Sequence, residues 1–375
     1  MAQQHLDPTD PRSRHDGPVP TGDALAGYLR AQATEFLRAL RLHRETGSGP
    51  NGSGGSAEAA RALRRSARRI SASLHSFQSL LDAEWSETMR PELAWVSGTL
   101  AMEHAYTARL ERLLAALHRL SGSTALPSQP AAPAAGGRPA GAAPAPQRAA
   151  PRDAGPRTAP ASAPERGNLT VGAAKAGALL DRQLTLARTR AHSTALEALG
   201  SSRFHAVADK VAVLASEVPL TKTAATTDLR PLARAAEDRL ADAVTALPLL
   251  TAGNPYNATA LVHGLSPDTV PHPQDAPWHQ VRLLLRLHRY AREAVSGPKG
   301  NAVVDLRLLS AGQALNRHRD ASEAAAAAAQ AARTPRIAPA TAYALGVLHA
   351  DQRHEVEAAR FAFQQAWQKE TVGAS

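Results

Sequence analysis

The stretch Trp278-His-Gln-Val-Arg-Leu-Leu-Leu-Arg-Leu-His-Arg-Tyr-Ala-Arg-Glu293 predicts both a fold class and a kind of partner. It has no Gly or Pro after Pro277, and a projection at about 100° per residue sorts its side chains into two faces. The apolar face holds Leu284, Leu287 and Ala291, with Leu283 and Tyr290 at its border. The other face, an arc of roughly 80°, holds His279, Arg282, Arg286, Arg289 and Glu293. Like charges at these spacings repel each other, so the basic row indicates an anionic partner.

The composition of the whole chain favours helices almost exclusively. Ala, Leu, Arg and Glu dominate the periodic segments, and no run of β-branched or aromatic residues suggests a strand. We predict an all-α fold in which Gly253–Pro277 is a loop. The predicted helices start at Asp23 and then cover about Ser56–Asp82, Pro91–Leu120, Asn168–Gly200, Phe204–Leu214, Leu229–Leu247, 278–296, Ala302–Ala332 and Pro339–Lys369.

Two segments interrupt this helical pattern. Residues 1–20 are polar and Pro-punctuated, and 121–167 is a Pro/Ala-rich stretch without periodicity, so we predict that both are disordered. The predicted helical domain spans 21–370. Its parts are first-half helices (21–120), the linker insertion (121–167), middle helices (168–252) and second-half helices (253–370), followed by a tail (371–375).

Charge and residue content narrow the function classes. The formal net charge is +10, which favours a polyanionic partner. The absence of Cys excludes disulfides, thiolate nucleophiles and Cys-ligated metals. Neither a signal peptide nor a membrane-spanning run is apparent, so we expect a cytoplasmic protein without a membrane partner. No nucleophile–base pair or carboxylate cluster stands out, and we expect no enzyme, no cofactor and no metal site.

A second basic helix face occurs in the first half of the chain. The apolar positions Leu63, Ala67, Ile70, Leu74 and Phe77 form a core stripe, and arginines occupy the opposite side. These arginines are Arg61, Arg64, Arg65 and Arg68, with Arg69 at the edge. The shared Arg-x-x-x-Arg spacing of the two distant helices suggests a duplicated helical unit.

These motifs resemble the CHAD domain family, which is named for its histidines on an α-helical scaffold. His279, Arg282, Arg286, Arg289, Tyr290 and Glu293 fit its second signature, and the segment from Leu315 through His318 to Asp320 resembles its Leu-Gly-x-His-Gln-Asp motif. The first signature is partly degenerate, since Arg61 stands where the family has His and Ser71 where it has Arg. His104-Ala105 also replaces the family's Arg-Asp after the third helix. The resemblance covers roughly residues 20–370.

The resemblance implies two antiparallel helical bundles, related by a pseudo-two-fold axis, with a basic central groove. It also implies a stand-alone binder of inorganic polyphosphate, rather than an enzyme, that is targeted to polyphosphate granules. The site residues that it implies are Arg64, Arg68, Arg69, His279, Arg282, Arg286, Arg289 and His318.

Other interpretations of the same residues remain open at this stage. The arginine rows could be solvated helix faces with intermittent ion pairs. The two histidines could pack, cap or coordinate a metal, although no third ligand is apparent. Nucleic acid is a second possible polyanion, which we rank lower because no aromatic residues are interleaved with the arginine rows. A degenerate scaffold for protein partners is the third.

Overall fold

The computed structural model describes residues 19–47, 53–122, 163–254, 258–265, 272–297 and 305–368. These residues form α-helices and short 3-10 turns, with a single isolated β-bridge between Leu81 and Leu220 and no sheet. The predicted all-α class is therefore confirmed. The predicted disordered N-terminus and most of the predicted linker insertion lie outside the described residues.

The helices follow the predicted order. They are α1 (Gly22–Gly47), α2 (Ser53–Ser76), α3 (Ala83–Leu120), α4 (Ala163–Gly200), α5 (Ser202–Ser216), α6 (Arg230–Thr245), α7 (Leu249–Ala252), α8 (Ala258–Gly264), α9 (Ala276–Ser296), α10 (Leu306–Ala332) and α11 (Pro339–Gln368).

Three predicted segments differ most from the structure. The second predicted helix, Ser56–Asp82, ends at Ser76. We placed the start of α3 at Pro91, but the helix begins eight residues earlier, because Asp82 caps it by accepting a hydrogen bond of 2.8 Å from the backbone N–H of Trp85. Pro91 consequently lies inside α3. The predicted loop at Gly253–Pro277 contains the short helix α8 and a 3-10 turn at Pro273–Asp275. A Cβ atom on Gly264, which ends α8, would come within 2.8 Å of Arg353 Nε, so this helix is shaped by tertiary contact rather than by a local pattern.

Three clusters of buried apolar residues hold the helices together. The first joins α1, α2, the first half of α3, α5 and α6 around Phe36, Phe77 and Phe204. The second joins the end of α3 to α4, α10 and α11. The third packs α6, α7, α9, α10 and α11 around Trp278 and Phe363. Because α9 contributes Ala291 and Ala294 to the first cluster and Trp278 to the third, it connects the two halves of the chain.

The face by which α9 packs differs from the predicted one. Its buried residues are Trp278, Val281, Leu285, His288, Ala291 and Ala294. Of the predicted packing residues only Ala291 is among them, whereas Leu284 and Leu287 are half-buried and Leu283 is 44% exposed. The helix is enclosed on two flanks, and its arginine row lies between α2 and α10. None of the helices in the described ranges has the length and apolar character needed to cross a membrane.

Candidate polyanion-binding cleft

Arginines from both halves of the chain line one cleft of about 460 Å³. Helices α2, α9 and α10 contribute most of its wall, and α3 contributes His104. We call it the arginine cleft; its lining residues are Arg61, Arg64, Arg65, Arg68, His104, Arg282, Leu285, Arg286, Arg289, Tyr290, Gly312, Asn316, Arg319 and Asp320. The two basic helix faces that the sequence suggested, more than 200 residues apart in the chain, therefore line the same cavity.

Five of these arginines form no ion pair with a carboxylate in the part of the chain that the structure describes: Arg64, Arg68, Arg282, Arg286 and Arg289. Arg68 donates from Nε to Ser97 Oγ at 3.1 Å, and Arg282 donates from Nη1 to Asn316 Oδ1 at 3.4 Å. Both acceptors are neutral, so they orient the guanidinium groups without cancelling their charge.

Burial and mutual repulsion lower the pKa values of these guanidinium groups. Burial, followed by the charges of Arg286 and Arg319, lowers the pKa of Arg282 to about 9. Burial, followed by the charges of Arg68 and Arg319, lowers the pKa of Arg64 to about 10. Both groups remain charged at neutral pH. Within the described residues, the Nε atoms of Arg64 and Arg282 are also buried without a hydrogen-bond partner, and an unmet buried donor destabilises the folded state.

The outer arginines of the cleft have acidic neighbours. Arg61 and Arg65 both reach Glu58, at 3.1 and 3.2 Å, and Arg319 pairs with Asp320. Beyond His104 the cleft continues into a cavity of about 340 Å³. There Arg109 contacts Glu323 at 2.6 Å, so the excess positive charge decreases in this direction. The unpaired arginines are concentrated between α2 and α9.

Arg69, a predicted site residue, does not line the cleft. Its Nε donates to Glu293 Oε2 at 2.8 Å, and its guanidinium lies over the Tyr290 ring at 5.4 Å from the centroid. Tyr28 Oη donates to the same Glu293 oxygen at 3.2 Å. Burial alone would lower the pKa of Arg69, but the hydrogen bond and charge of Glu293 raise it. Arg69 and Glu293 thus join α2 to α9.

His318 is 1% exposed and lies behind the cleft rather than in it. Its ring stacks on Trp278 at 5.6 Å between centroids and contacts the ring of half-buried His279 at 5.5 Å. His279 does not line the cleft either. Burial lowers the pKa of His318 to about 4, against the charge of nearby Asp275. Both histidines therefore lie outside the cleft, in contact with each other near the start of α9.

A buried charged network surrounds His318, and sequence reasoning missed it. Asp275 is fully buried and accepts hydrogen bonds from Arg353 at 2.8 Å, Arg360 at 2.7 Å and Ser322 at 2.5 Å. Burial alone would raise the pKa of Asp275, but His318 and Arg353 hold it well below its usual range. This network attaches the start of α9 to α10 and α11, so it positions the arginine row.

Arg319, Arg61, Arg65 and His104 are cleft residues that were not among the predicted site residues. A helical signal could have identified Arg319: Gly312, Asn316 and Arg319 share one face of α10, whereas His318 lies on its apolar stripe with Ala314, Leu315 and Ala321. Among the described residues, no cluster of three or more His, Asp or Glu side chains could hold a metal ion.

Comparison with known proteins gives a family and a close structural relative. The CHAD domain model matches residues 31–329. The solved structure of PptA from Streptomyces chartreusis is 74% identical in sequence, with a TM-score of 0.72, and the match covers 93% of this chain and 100% of that one. A comparison with curated proteins found no match. With most of its length matched by the family model, the chain belongs to the CHAD domain family.

Proposed function

We propose that this protein binds inorganic polyphosphate in the arginine cleft, as a binding protein rather than an enzyme. The observation that carries the proposal is the group of five arginines, from α2 and α9, that share one cavity without a carboxylate partner in the described ranges. Membership of the CHAD domain family supports it, because resemblance to that family implies this ligand.

The chemistry of the cleft suits a linear chain of phosphates. Each phosphate unit carries about one negative charge, and guanidinium groups donate paired hydrogen bonds to phosphate oxygens. Arginines on opposing helices can therefore contact successive units of one chain. Binding releases counterions, so the affinity should fall steeply as the salt concentration rises.

The direct test is titration of long-chain polyphosphate into the protein across a salt series. A variant with Arg282, Arg286 and Arg289 changed to Gln should lose most of the affinity and show a shallower salt dependence. The matched control changes Arg182, Arg188 and Arg190, three exposed arginines on α4, to Gln. It removes the same net charge but should retain the affinity. Equal binding by both variants would indicate diffuse attraction only and contradict the proposal.

A second variant addresses the partly degenerate first half. Changing Arg64 and Arg68 to Gln removes the unpaired charges of α2 while α9 stays intact. We expect a loss of affinity comparable with that of the α9 variant, because arginines of the two helices line the same cavity. Unchanged affinity would show that the first signature no longer takes part in binding.

Nucleic acid is the alternative polyanion, and competition at equal phosphate concentration separates the two ligands. Among the described residues that line the cleft, only Tyr290 and His104 have rings, so the site offers little base stacking along a strand. We expect polyphosphate to displace DNA. We further propose that the protein associates with polyphosphate granules in the cytoplasm, and co-sedimentation with granules by the wild type but not by the α9 variant would support this.

A further inference from the structure

A second cavity of about 410 Å³ opens directly beside the arginine cleft. It shares Arg68, Arg286 and Tyr290 with the cleft, so a ligand held by these arginines can extend from one cavity into the other. We call it the side pocket; its lining residues are Arg68, Ser71, Ala72, His75, Arg90, Leu93, Ala94, Ser97, Gly98, Leu283, Arg286, Leu287 and Tyr290.

The lining of the side pocket differs chemically from that of the cleft. Leu283 and Leu287 give it an apolar wall, and Leu283 is 44% exposed. Ser71 and His75 add polar groups to the same pocket. An apolar or aromatic lining with a few polar side chains is typical of small-molecule sites, which occupy roughly 300–1,000 Å³. The basic cleft and the mixed side pocket together suit a phosphate ester with a flat organic group.

Gly98 leaves room in this pocket at a cost to its helix. It lies inside α3, where Gly destabilises a helix by roughly 0.5–1 kcal/mol relative to Ala. A Cβ atom at this position would meet no other atom within 4 Å, so no packing contact in the described structure requires Gly. The residue lines the side pocket, and a larger side chain there would project into the free space.

We propose that the side pocket binds the base of a nucleoside triphosphate whose phosphates lie in the arginine cleft. The proposal rests on the proposed function, since it uses the same arginines for the phosphates. Arg68 and Arg286 stand at the junction, where a phosphate next to the sugar would lie. Tyr290 and the leucines would contact the ring, and the serine hydroxyls and His75 could hydrogen-bond to its edge.

A heteroaromatic ring fits this pocket better than the alternatives. A continuing polyphosphate chain would bring charged oxygens against Leu283 and Leu287, which offer no hydrogen bonds. An acyl chain would instead leave Arg90 and His75 facing hydrocarbon. A purine base has apolar faces and a polar edge, so it can satisfy both kinds of wall.

The test compares adenosine triphosphate with inorganic tripolyphosphate by calorimetric titration. Gly98→Leu should weaken adenosine triphosphate binding about tenfold, because the base loses its space, and leave tripolyphosphate within about twofold. The control is Gly346→Leu, the same change at an exposed position of α11 where a Cβ atom also meets nothing within 4 Å. This control should change the affinity for neither ligand. Leu283→Ala should likewise weaken the binding of adenosine triphosphate and leave that of tripolyphosphate unchanged.

Each other outcome contradicts the proposal. If Gly98→Leu weakens the binding of both ligands equally, the side pocket holds phosphates, as the arginine cleft does. If it weakens neither, the base does not occupy the pocket. Failure of the proposed function would look different, because long-chain polyphosphate and tripolyphosphate would then not bind the wild-type protein at all. Circular dichroism of each variant confirms that a lost affinity is not lost folding.

Discussion

Arg69 and Arg286 make a sharp contrast at the scale of single residues, because of the two only Arg69 has a carboxylate partner among the described residues. We expect Arg69→Gln to cost roughly 1–3 kcal/mol of unfolding free energy, since Glu293 loses its partner in a partly buried place. Polyphosphate affinity should remain within about threefold. Arg286→Gln should do the opposite and weaken binding about tenfold without loss of stability.

Thermal unfolding and titration of both variants check this contrast. The two single changes remove the same charge from arginines close to Tyr290, so each serves as the control for the other. An affinity loss in Arg69→Gln as large as that in Arg286→Gln would mean that Arg69 leaves Glu293 to contact the ligand.

His318 should make the stability of the protein depend on pH. Burial holds its pKa near 4 in the folded protein, below the value of about 6.5 expected in the unfolded chain. Between these values the unfolded chain binds more protons, so stability falls as the pH decreases from about 6.5 to 4, by on the order of 3 kcal/mol in total. Above pH 6.5 this contribution is constant.

Chemical unfolding of the wild type and His318→Gln across pH 4–8 measures this effect. The quantity to compare is the slope of the unfolding free energy against pH, not its absolute value. The reason is that Gln also changes the contact with Trp278 and the network of Asp275, Arg353 and Arg360. The variant should show a clearly shallower slope between pH 6.5 and 4. Parallel slopes would show that His318 titrates normally in the folded state.

The neighbours His318 and Arg319 show what sequence patterns can and cannot predict about single residues. The family motif drew attention to the histidine, whereas helical periodicity places it on the apolar stripe of α10 and places Arg319 on the cleft face. Spacing alone could have made that distinction. The partnership between Arg69 and Glu293 could not be predicted, because it joins side chains 224 positions apart.

At the scale of elements, the early start of α3 depends on its cap. Asp82→Ala removes the acceptor for the backbone N–H of Trp85 and should cost about 1 kcal/mol of unfolding free energy. The control is Asp238→Ala, which changes the same residue type at an exposed interior position of α6 and should be neutral or slightly stabilising. Denaturant unfolding measures both. A neutral Asp82→Ala would favour a helix that begins at Pro91, as the sequence suggested.

The helices themselves were largely predictable, but the face that each one buries was less so. Local periodicity located α5 and α10 within a few residues. On α9 it favoured Leu284 and Leu287 as packing residues, whereas the buried stripe runs through Val281, Leu285 and His288. A helix that packs against neighbours on two sides has apolar side chains on more than one face. The periodicity of its apolar residues therefore does not show which face is buried most deeply.

At the scale of the whole molecule, the arginine cleft is a property of tertiary packing. Neither basic face indicates in its own sequence that α2 and α9 will be neighbours; the contacts between Arg69, Glu293 and Tyr28 bring them together. The duplicated unit, the pseudo-two-fold axis and the domain boundaries remain predictions.

Arg282→Met should raise the melting temperature of the ligand-free protein. Arg282 is half-buried, its Nε atom has no partner in the described part of the chain, and Arg286 and Arg319 repel it, so its charge destabilises the folded state. Methionine retains an unbranched apolar chain of similar reach without that charge. We expect a rise of about 1–2 °C, equivalent to roughly 1 kcal/mol in a protein of this size. High salt should reduce the difference, because it screens the repulsion.

Saturating tripolyphosphate should reverse this order of stability. A ligand at 100 times its dissociation constant stabilises the folded state by about 2.7 kcal/mol, and the wild type should gain this while the variant gains less. Differential scanning fluorimetry with and without the ligand shows whether the two melting curves exchange places. The exchange requires the same charge to oppose folding and to favour binding. A variant that melts below the wild type in both conditions would mean that the arginine stabilises the fold, and the cleft would then be a structural feature rather than a binding site.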